Sequence, residues 1–434
     1  MERYSEYKDS GVQWIGEIPS HWKLYALKYI LQEKKEIVGS FSYKYDLLSL
    51  TLRGIIKRNM DNPTGKFPSS FDIYKIVRRN DFVFCNFDNE ETPRAVGLSN
   101  YEGMITGAYD VFSCKRDDVS NRFLLYLFLS IDNRKQFKPL YKGLRKTIPL
   151  DSFMSYKIAI PPFLEQQSIA DYLDKITLKI DEAIAQQQKM IDFLNERKQI
   201  IINNAVTKGL NPDVPMKDSG VDWIGEIPEH WDVMKTLFTL SMPITDGPHE
   251  TPLLYDNGIP FVSAEAVSMG NGGINFNHIR GYISKAFYDE CCKKYIPQKY
   301  DIYMIKSGAT TGKVAIVETD VKFTIWSPLA VFRCNQQIMN PNYLFFVLQS
   351  NFYQFQVQLG WSYGTQQNIG MRTLEKLKVT VPPVCEQIII ADKIKEELVP
   401  INNAIKVANK QIILLQERKQ IIINDVVTGK VKIS

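Results

Sequence analysis

Two long stretches of the chain carry apolar residues at alternating steps of four and three positions. This heptad spacing is typical of a coiled-coil helix, because it places the apolar residues along one seam. In the first stretch the seam positions are Ile169, Leu173, Ile176, Ile180, Ala183, Gln187, Met190, Leu194, Arg197 and Ile201. In the second they are Ile390, Ile394, Glu397, Ile401, Ala404, Ala408, Gln411, Leu415, Arg418 and Ile422. The pattern predicts two long helices.

The first predicted helix spans residues 163–206, which corresponds to a length of about 66 Å. Such a helix on its own would expose an apolar stripe to water, so each helix needs a partner. The other helix of the chain can be that partner, and we expect the two to form an antiparallel coiled coil. Parallel pairing, or packing of each helix on its own domain, are the alternatives. Pro400 lies inside the second helix and is expected to kink or restart it.

The segment before each helix alternates short β-type runs with Gly, Pro and Asn residues that favour turns. The predicted strands are 81–85, 111–114, 301–305, 314–317 and 329–334, and the predicted short helices are 122–130 and 341–348. A Pro-Pro pair closes each segment, at Pro161-Pro162 and Pro382-Pro383, and a helix can begin after it. The pattern predicts an α+β fold with a mixed α/β domain before each long helix.

The chain is also an internal tandem duplication. Residues 8–22 read KDSGVQWIGEIPSHW and residues 217–231 read KDSGVDWIGEIPEHW, so 13 of 15 positions are identical. The octapeptide ERKQIIIN occurs at 196–203 and again at 417–424. Two copies of one design predict pseudo two-fold symmetry. The predicted segments are a tag at 1–22, a mixed domain at 23–160, a helical spacer at 161–215, a second mixed domain at 216–381 that includes the repeated tag, and a second spacer at 382–434.

Composition and charge leave the class of partner open. The 434 residues are 44% hydrophobic with a net charge of +5, which suits a folded protein and permits nucleic-acid binding without arguing for it. None of the six cysteines forms a Cys-x-x-Cys pair, so free thiols in a reducing compartment are expected. Because no apolar run suits a signal peptide or a membrane span, we expect a cytoplasmic protein.

Further motifs complete a pattern known from one family. PPFLEQQSIADYLD at 161–174 and PPVCEQIIIADKIK at 382–395 follow the two mixed segments, and the second segment carries Asp246-Gly247-Pro248-His249. With the tag and the octapeptide, these motifs resemble the specificity subunit of type I restriction-modification systems along essentially the whole chain. The resemblance implies that the mixed domains are target recognition domains, each of which reads one half of a bipartite, asymmetric DNA site. It also implies that the helices set the spacing and dock methyltransferase subunits.

The same resemblance implies the partners and cofactors. The expected partners are double-stranded DNA, methyltransferase subunits in two copies, and restriction or translocase subunits. S-adenosylmethionine, ATP and magnesium are expected in those subunits, and no cofactor, metal or catalytic residue is expected in this chain. The segment 307–314 departs from a P-loop, because three residues instead of four separate its glycines and Val314 replaces the Ser/Thr.

Equivalent loops of the two halves differ in the residues that could contact DNA. Residues 142–147 read KGLRKT and residues 363–368 read YGTQQN. Arginine suits guanine and the amides suit adenine, whereas lysine and threonine suit phosphates. The predicted DNA-binding residues are Arg53, Lys57, Arg58, Arg94, Lys142, Arg145, Lys146, Thr147, Lys306, Thr310, Thr311, Lys313, Tyr363, Thr365, Gln366, Gln367 and Asn368, with Arg78 and Arg79 as further candidates. For any one of them, a solvated surface position is the alternative.

Two other functions compete with DNA reading. A self-contained methyltransferase or nuclease would need catalytic motifs that the sequence does not offer, since Ile160-Pro161-Pro162-Phe163 lacks the polar first residue of an amino-methyltransferase motif. A coiled-coil scaffold without a role in DNA binding would not explain why equivalent loops differ in polar residues while the framework is repeated.

Overall fold

The computed structural model describes residues 2–60, 70–88, 92–363 and 367–433. The chain divides into two compact units. Unit 1 comprises Met1–Gln188 and Asn409–Ser434, and unit 2 comprises Lys189–Ala408. Each unit therefore holds one mixed α/β segment together with parts of both long helices.

Unit 1 is built on a four-stranded antiparallel sheet. The strands of the unit are β1 (Tyr7–Asp9), β2 (Glu17–Pro19), β3 (Lys23–Ala26), β4 (Leu31–Lys34), β5 (Leu48–Thr51), β6 (Gly54–Lys57), β7 (Lys75–Val77), β8 (Phe82–Phe84), β9 (Val96–Leu98), β10 (Gly103–Ile105), β11 (Asp110–Cys114) and β12 (Lys157–Ile160). The sheet order is β4-β11-β8-β9. All three side chains of β8 are buried, because the strand is covered on both faces. Strands β3 and β12 pair, so the start and end of the mixed segment meet just before the long helix.

The helices of unit 1 cover this sheet with an aromatic core. They are α1 (Asn121–Asn133), α2 (Leu150–Ser155) and the start of the long helix α3 (Phe163–Lys208). The Ser120 hydroxyl caps α1 by accepting a hydrogen bond from the Phe123 backbone N–H. Phe84 packs edge-on against Phe128 and Phe153, with ring centroids 5.1 and 5.0 Å apart. Each such buried ring contributes about 2 kcal/mol of stability.

Unit 2 repeats the four-stranded sheet and adds a second one. Its strands are β13 (Met216–Asp218), β14 (Glu226–Pro228), β15 (Asp232–Lys235), β16 (Thr245–Asp246), β17 (Ile259–Val262), β18 (Tyr282–Ile283), β19 (Ile302–Ile305), β20 (Val314–Ile316), β21 (Thr324–Ile325), β22 (Leu329–Phe332), β23 (Ser362–Tyr363), β24 (Gln367–Asn368) and β25 (Lys378–Val381). The antiparallel sheet has the order β16-β22-β19-β20, and β17 lies between β18 and β21 in the second sheet. Strands β15 and β25 pair as β3 and β12 do in unit 1.

The helices of unit 2 follow the same plan as those of unit 1. They are α4 (Ala264–Ser268), α5 (Lys285–Lys294), α6 (Pro341–Gln349), α7 (Asn351–Leu359), α8 (Met371–Lys376) and the start of the long helix α9 (Val384–Val427). Asn340 caps α6 through its side chain, and Pro341 occupies the first turn, where its missing N–H costs little. The predicted strands at 81–85, 111–114, 301–305, 314–317 and 329–334 and the predicted short helices at 122–130 and 341–348 are confirmed.

In unit 1 the start of α3 runs antiparallel to the end of α9. Ile169 and Leu173 of α3 share one buried core with Ile423 of α9. Farther along α3, Asp181 accepts hydrogen bonds from Lys419 Nζ, which lies 2.7 Å from both carboxylate oxygens. Residue numbers rise along α3 as they fall along α9, so the two segments have opposite directions.

The same orientation occurs in unit 2, between the end of α3 and the start of α9. Ile202 of α3 shares a buried core with Ile390 and Ile394 of α9. Lys198 Nζ lies 3.4 Å from Asn402 Oδ1. The expected antiparallel orientation of the helices is therefore confirmed inside each unit.

Burial along the predicted seam is uneven, because positions near the start of each helix are the most buried and several other positions lie off the buried stripe. Ile169, Leu173, Ile180, Ile390, Ile394 and Ile401 are buried, and Ile176, Leu194, Ile201, Leu415 and Ile422 are half-buried. Met190, Arg197, Glu397, Gln411 and Arg418 are exposed instead, and buried side chains stand next to predicted seam positions at Thr177, Ile191, Ile202 and Leu398. A straight helix has 3.6 residues per turn, so its buried stripe drifts by about 20° per heptad away from a strict seven-residue repeat.

Helix α9 continues through Pro400 without a break, so the helix does not restart at this residue, and the expected kink stays a prediction. Proline in a helix interior removes one backbone hydrogen bond and crowds the preceding turn. Leu398 and Ile401 on either side are buried, whereas Pro400 is exposed, so packing of the neighbouring residues maintains the helix.

Within the described residues, every helix is too short or too polar to cross a lipid bilayer.

Candidate nucleic-acid interface

An exposed hairpin projects from unit 1 at residues 142–147, which we call hairpin 1. The backbones of Lys142 and Thr147 exchange two hydrogen bonds of 2.9 and 3.0 Å and close a four-residue turn. Gly143 adopts a φ of +68°, a left-handed conformation that glycine reaches without strain. Lys142, Arg145 and Thr147 are exposed, and Lys146 is half-buried. The turn thus presents two cationic side chains to solvent at one tip.

Unit 2 has a hairpin at the equivalent place, residues 362–368, which we call hairpin 2. Its strands β23 and β24 pair Ser362 with Asn368 and Tyr363 with Gln367. The side chains of Gln367 and Asn368 are exposed. The predicted residues Thr365 and Gln366, and the side chain of Tyr363, lie outside the described part of the structure. The visible chemistry of hairpin 2 is that of amides, whereas hairpin 1 carries cations.

Each hairpin sits on one loop of the four-stranded sheet through the same pair of backbone hydrogen bonds. In unit 1 the N–H of Asp88 donates to Arg145 O at 2.9 Å, and the N–H of Ile148 donates to Asn86 O at 2.8 Å. We call the described residues 86–88 loop 1.

In unit 2 the corresponding loop comprises residues 306–313, which we call loop 2. The N–H of Gly308 donates to Gln367 O at 3.0 Å, and the N–H of Ile369 donates to Lys306 O at 2.9 Å. Asn86 and Lys306, like Asp88 and Gly308, stand 220 positions apart in the duplication. The junction of loop and hairpin is therefore repeated, while its side chains differ.

Loop 2 is folded on itself and does not form a phosphate cradle. The N–H groups of Thr311, Gly312 and Lys313 donate to Gly308 O, Ile305 O and Thr310 O. A P-loop would leave such N–H groups free to bind phosphate oxygens. The side chain of Lys313 is exposed and those of Thr310 and Thr311 are half-buried, so Lys313 is the group of this loop that is best placed to meet an anion.

Lys306, a predicted DNA contact, is held inside unit 2. Its Nζ lies 3.2 Å from Asp246 Oδ2, and Lys294 Nζ lies 2.6 Å from Oδ1 of the same carboxylate. His249 Nε2 also lies 3.2 Å from Asp246 Oδ2. Burial alone would raise the pKa of Asp246, but Lys294 and Lys306 outweigh burial and hold that pKa below its ordinary value. With its side chain only 14% exposed, Lys306 serves the internal structure of loop 2.

Arg94, another predicted contact, also acts inside the protein. Its guanidinium donates to Leu52 O at 2.8 Å and to Val96 O at 3.0 Å. Burial lowers the pKa of Arg94 from its ordinary value. These bonds fasten the turn between β5 and β6, which carries the exposed side chain of Arg53.

The remaining predicted cations of unit 1 differ in exposure and in whether a carboxylate contacts them. Lys57 is exposed and ion-paired with Asp46 at 2.5 Å, and Arg58 is half-buried. Arg78 donates two hydrogen bonds to Glu36, at 2.8 and 2.6 Å, and Arg79 is exposed. Exposed ion pairs of this kind exchange readily for other anions, because they contribute at most about 1 kcal/mol.

A Glu-Gln pair at the start of each long helix was not among the predicted functional residues. Glu165 Oε1 accepts hydrogen bonds from Tyr4 OH at 2.6 Å and Trp22 Nε1 at 3.0 Å, and its Oε2 lies 2.8 Å from His21 Nε2. Gln166 bonds to the backbone of Ser120, Asp118 and Pro161. The pair thus ties the tag and the start of α1 to α3.

Unit 2 repeats the arrangement with Glu386 and Gln387. Glu386 Oε2 lies 2.8 Å from His230 Nε2, and Gln387 accepts from Asn340 N at 2.7 Å. Repetition of Glu-Gln after each Pro-Pro pair was the sequence signal for this role. His21 and His230 of the two tags thus each contact the glutamate at the start of a long helix. No cluster of three or more His, Cys, Asp or Glu side chains suited to a metal ion occurs within 2–60, 70–88, 92–363 and 367–433.

Known proteins are similar to this chain in sequence and in fold. The chain is 25% identical to a protein of Methanocaldococcus jannaschii provisionally named the MjaX type I restriction enzyme specificity subunit, over 96% of both chains. It is also 25% identical to the MjaVIII type I restriction enzyme specificity subunit of that organism, over 71% of this chain and 70% of the relative. The fold is similar to a chain from a structural study of assembly and conformational transition of the type I R-M system, with a TM-score of 0.64 and 14% identity over 95% of this chain and 99% of that chain.

The profile of the type I restriction modification DNA specificity domain matches residues 100–192 and 248–412. The first match includes hairpin 1, and the second includes both loop 2 and hairpin 2. Together the two matches cover more than half of the 434 residues. The chain therefore belongs to the type I restriction modification DNA specificity family.

Proposed function

We propose that this chain is the DNA-reading subunit of a type I restriction-modification complex and that each unit reads one half of a bipartite, asymmetric site. The observation that carries the proposal is the repeated junction of loop and hairpin. The same backbone hydrogen bonds support hairpin 1 and hairpin 2, yet one tip presents Lys142 and Arg145 and the other presents Gln367 and Asn368. A common support with different polar tips suits two readers of different sequences.

The side chains at the tips of hairpin 1 and hairpin 2 suit different roles in DNA binding. Arg145 can donate two hydrogen bonds to the O6 and N7 atoms of guanine, and Gln367 can bond in the same bidentate way to adenine. Lys142, Lys146, Thr147, Arg53 and Lys313 would contact phosphates, which position a protein on DNA without reading its sequence. Tyr363, Thr365, Gln366 and Asn368 complete the proposed contacts of hairpin 2.

Two of the predicted DNA contacts, Lys306 and Arg94, bind groups inside the protein, which favours a role in holding the loops instead of contacting DNA. Lys306 and Arg94 hold the loop and turn beneath the proposed contacts, because Lys306 is ion-paired with Asp246 and the Arg94 guanidinium donates to backbone carbonyls. Lys57, Arg58, Thr310 and Thr311 remain proposed as secondary contacts at the edge of the surface.

The long helices suit a partner on their outer faces. Exposed apolar side chains on α3 and α9 are Phe163, Leu164, Leu178, Met190, Phe193, Ile200, Ile388, Ile389, Val399, Val407, Ile413, Leu414 and Ile421. Exposed apolar side chains that cluster can bind another protein. We propose that methyltransferase subunits dock there, in two copies because the helical segments are duplicated, and that restriction or translocase subunits join this complex.

The catalytic reactions would then belong to the modification and restriction subunits. We propose that this cytoplasmic chain has no catalytic residue, metal or cofactor of its own, and that the modification subunits bind S-adenosylmethionine while the restriction subunits use ATP and magnesium. Incubation of the purified chain alone with labelled S-adenosylmethionine and DNA tests this part of the proposal. We expect no incorporated label, and label on the DNA would revive the methyltransferase alternative.

The main experiment expresses this chain with its modification subunits in a host without DNA methylation. Single-molecule sequencing of the host genome then gives the methylated motif. We expect one motif with two specified halves, different from each other and separated by an unspecified gap. A continuous or palindromic motif, or methylation only when this chain is absent, would overturn the proposal.

A further inference from the structure

In unit 2 a buried carboxylate supports the loop that carries the hairpin. Asp246 is 1% exposed and holds Lys306 and Lys294 with its two oxygens, at 3.2 and 2.6 Å. The backbone oxygen of Lys306 accepts the hydrogen bond from Ile369 at the base of hairpin 2. Lys306 therefore links the carboxylate to the hairpin, because its ammonium contacts Asp246 and its backbone carbonyl accepts the bond from Ile369.

Unit 1 contains the same chain of contacts built from other residues. Asp110 Oδ2 accepts a hydrogen bond from Asn86 Nδ2 at 2.9 Å, and its Oδ1 lies 3.1 Å from Lys75 Nζ. The backbone oxygen of Asn86 accepts the hydrogen bond from Ile148 at the base of hairpin 1. In each unit one carboxylate thus binds a lysine and the loop residue beneath the hairpin.

The two carboxylates come from different strands. The residue of unit 2 that is equivalent to Asp110 is Ala330, 220 positions later, and it has no carboxylate. Asp246 lies on the neighbouring strand β16, directly opposite Ala330 of β22. Simple duplication of the framework therefore does not account for both carboxylates. What the two sites share is their contact with the loop residue that supports the hairpin.

A supporting contact of this kind matters because readout of base edges depends on position. Two hydrogen bonds to one base require the donor and acceptor atoms to lie within about 0.5 Å of their ideal places. The backbone carbonyl of Arg145 in hairpin 1 accepts the hydrogen bond from the N–H of Asp88 in loop 1. The backbone carbonyl of Gln367 in hairpin 2 accepts the bond from the N–H of Gly308 in loop 2. A shift of loop 1 or loop 2 would therefore move these residues directly.

We propose that Asp110 and Asp246 are positioning residues for specificity, each fixing the hairpin of its own unit. The proposal rests on the proposed function above. It predicts that loss of either carboxylate relaxes recognition in one half of the DNA site and leaves the other half unchanged. Loss of a phosphate contact would instead weaken binding to all sequences alike.

The test uses the complete complex with modification subunits and compares Asp110→Asn and Asp246→Asn with the wild-type chain. Methylation rates are measured on duplexes that carry single base-pair changes in each half of the wild-type motif. We expect each variant to lose about tenfold of its discrimination against wrong base pairs, in one half only, with the two variants affecting opposite halves.

Matched controls are Asp81→Asn and Asp301→Asn, which stand 220 positions apart in the duplication. Both carboxylates are buried and charge-paired, Asp81 with Lys34 and Asp301 with Arg333, away from the loops and hairpins. These variants are expected to lose stability and to keep the discrimination of both halves. If they relax specificity as much as Asp110→Asn and Asp246→Asn, general destabilisation explains the effect and the proposal is overturned.

Two further variants keep the test decisive if a carboxylate variant does not assemble. Lys306→Met and Asn86→Ala break the same contacts from the loop side and are expected to relax the same halves. Unchanged discrimination in both halves for these variants, or for Asp110→Asn and Asp246→Asn, would overturn the positioning role. A wild-type complex without a bipartite motif would instead overturn the proposed function on which the inference rests.

Discussion

At the scale of single residues, the repeated motifs are explained by hydrogen bonds that join distant parts of each unit. Glu165 accepts from side chains of the tag that stand 143 and 144 positions earlier in the chain. The sequence predicts that the repeated residues matter, because they recur with fixed neighbours. It does not predict their partners, because these are brought together only by the fold. The burial of Lys306 against Asp246 was unpredictable for the same reason.

The glutamates that contact the two copies of the tag differ in their hydrogen bonds, which gives a matched pair of variants. Glu165 serves Tyr4, His21 and Trp22, whereas within the described residues Trp231 Nε1 has no hydrogen-bond partner and Glu386 serves His230. Glu165→Ala leaves the Tyr4 hydroxyl and Trp22 Nε1 without their acceptor, and is expected to cost about 1–2 kcal/mol. Glu386→Ala should cost less. Urea denaturation of both variants measures the difference, and an equal or reversed order would contradict it.

Asp246 predicts a dependence of stability on pH. Its pKa in the folded chain lies below the ordinary 3.8, so it contributes stability above that value and loses the contribution as the pH falls through the folded pKa. Asp246→Asn is expected to cost about 3 kcal/mol at neutral pH, since it leaves Lys294 and Lys306 without their counter-ion. The difference between wild type and variant should shrink below about pH 4. A difference that grows in acid would show that the carboxylate is not the stabilising partner.

At the scale of elements, hydrophobic periodicity predicts the type and place of most helices and strands. Both long helices, α1, α6 and the central strands β8, β19 and β22 follow from it. The exact buried face of the helices does not follow, because a strict heptad ignores the drift of a straight helix over several turns. The hairpins were placed correctly as loops, but their backbone bonds to loop 1 and loop 2 depend on contacts distant in sequence.

The corrected seam makes a prediction about neighbouring residues of α3. Ile191 is 6% exposed, whereas Met190, the position given by the heptad, is 51% exposed. Ile191→Ala is expected to cost about 2–3 kcal/mol through lost burial and a new cavity. Met190→Ala should change the free energy of unfolding by less than about 0.5 kcal/mol. Chemical denaturation of the two variants decides between the faces, and a larger loss for Met190→Ala would restore the heptad assignment.

At the scale of the whole molecule, one chain provides two units that share a framework and differ at their tips. Unit 1 combines both ends of the chain and unit 2 takes the middle, so each holds its own sheet, loop and hairpin. Duplication of the framework explains the repeated tag, the Glu-Gln pairs and the octapeptide. The hairpin tips, where the proposed reading takes place, differ in their polar side chains. The sequence read by each tip depends on side-chain geometry against DNA, which no periodicity encodes.

Exchange of one mixed domain shows whether the two units read DNA independently. Residues 23–160 are replaced by the corresponding segment of another family member with a different motif, and the methylated motif of the assembled complex is sequenced. We expect one half of the motif to take the donor's sequence while the other half stays that of the wild type. A motif that changes in both halves, or in neither, would contradict independent reading by the two units.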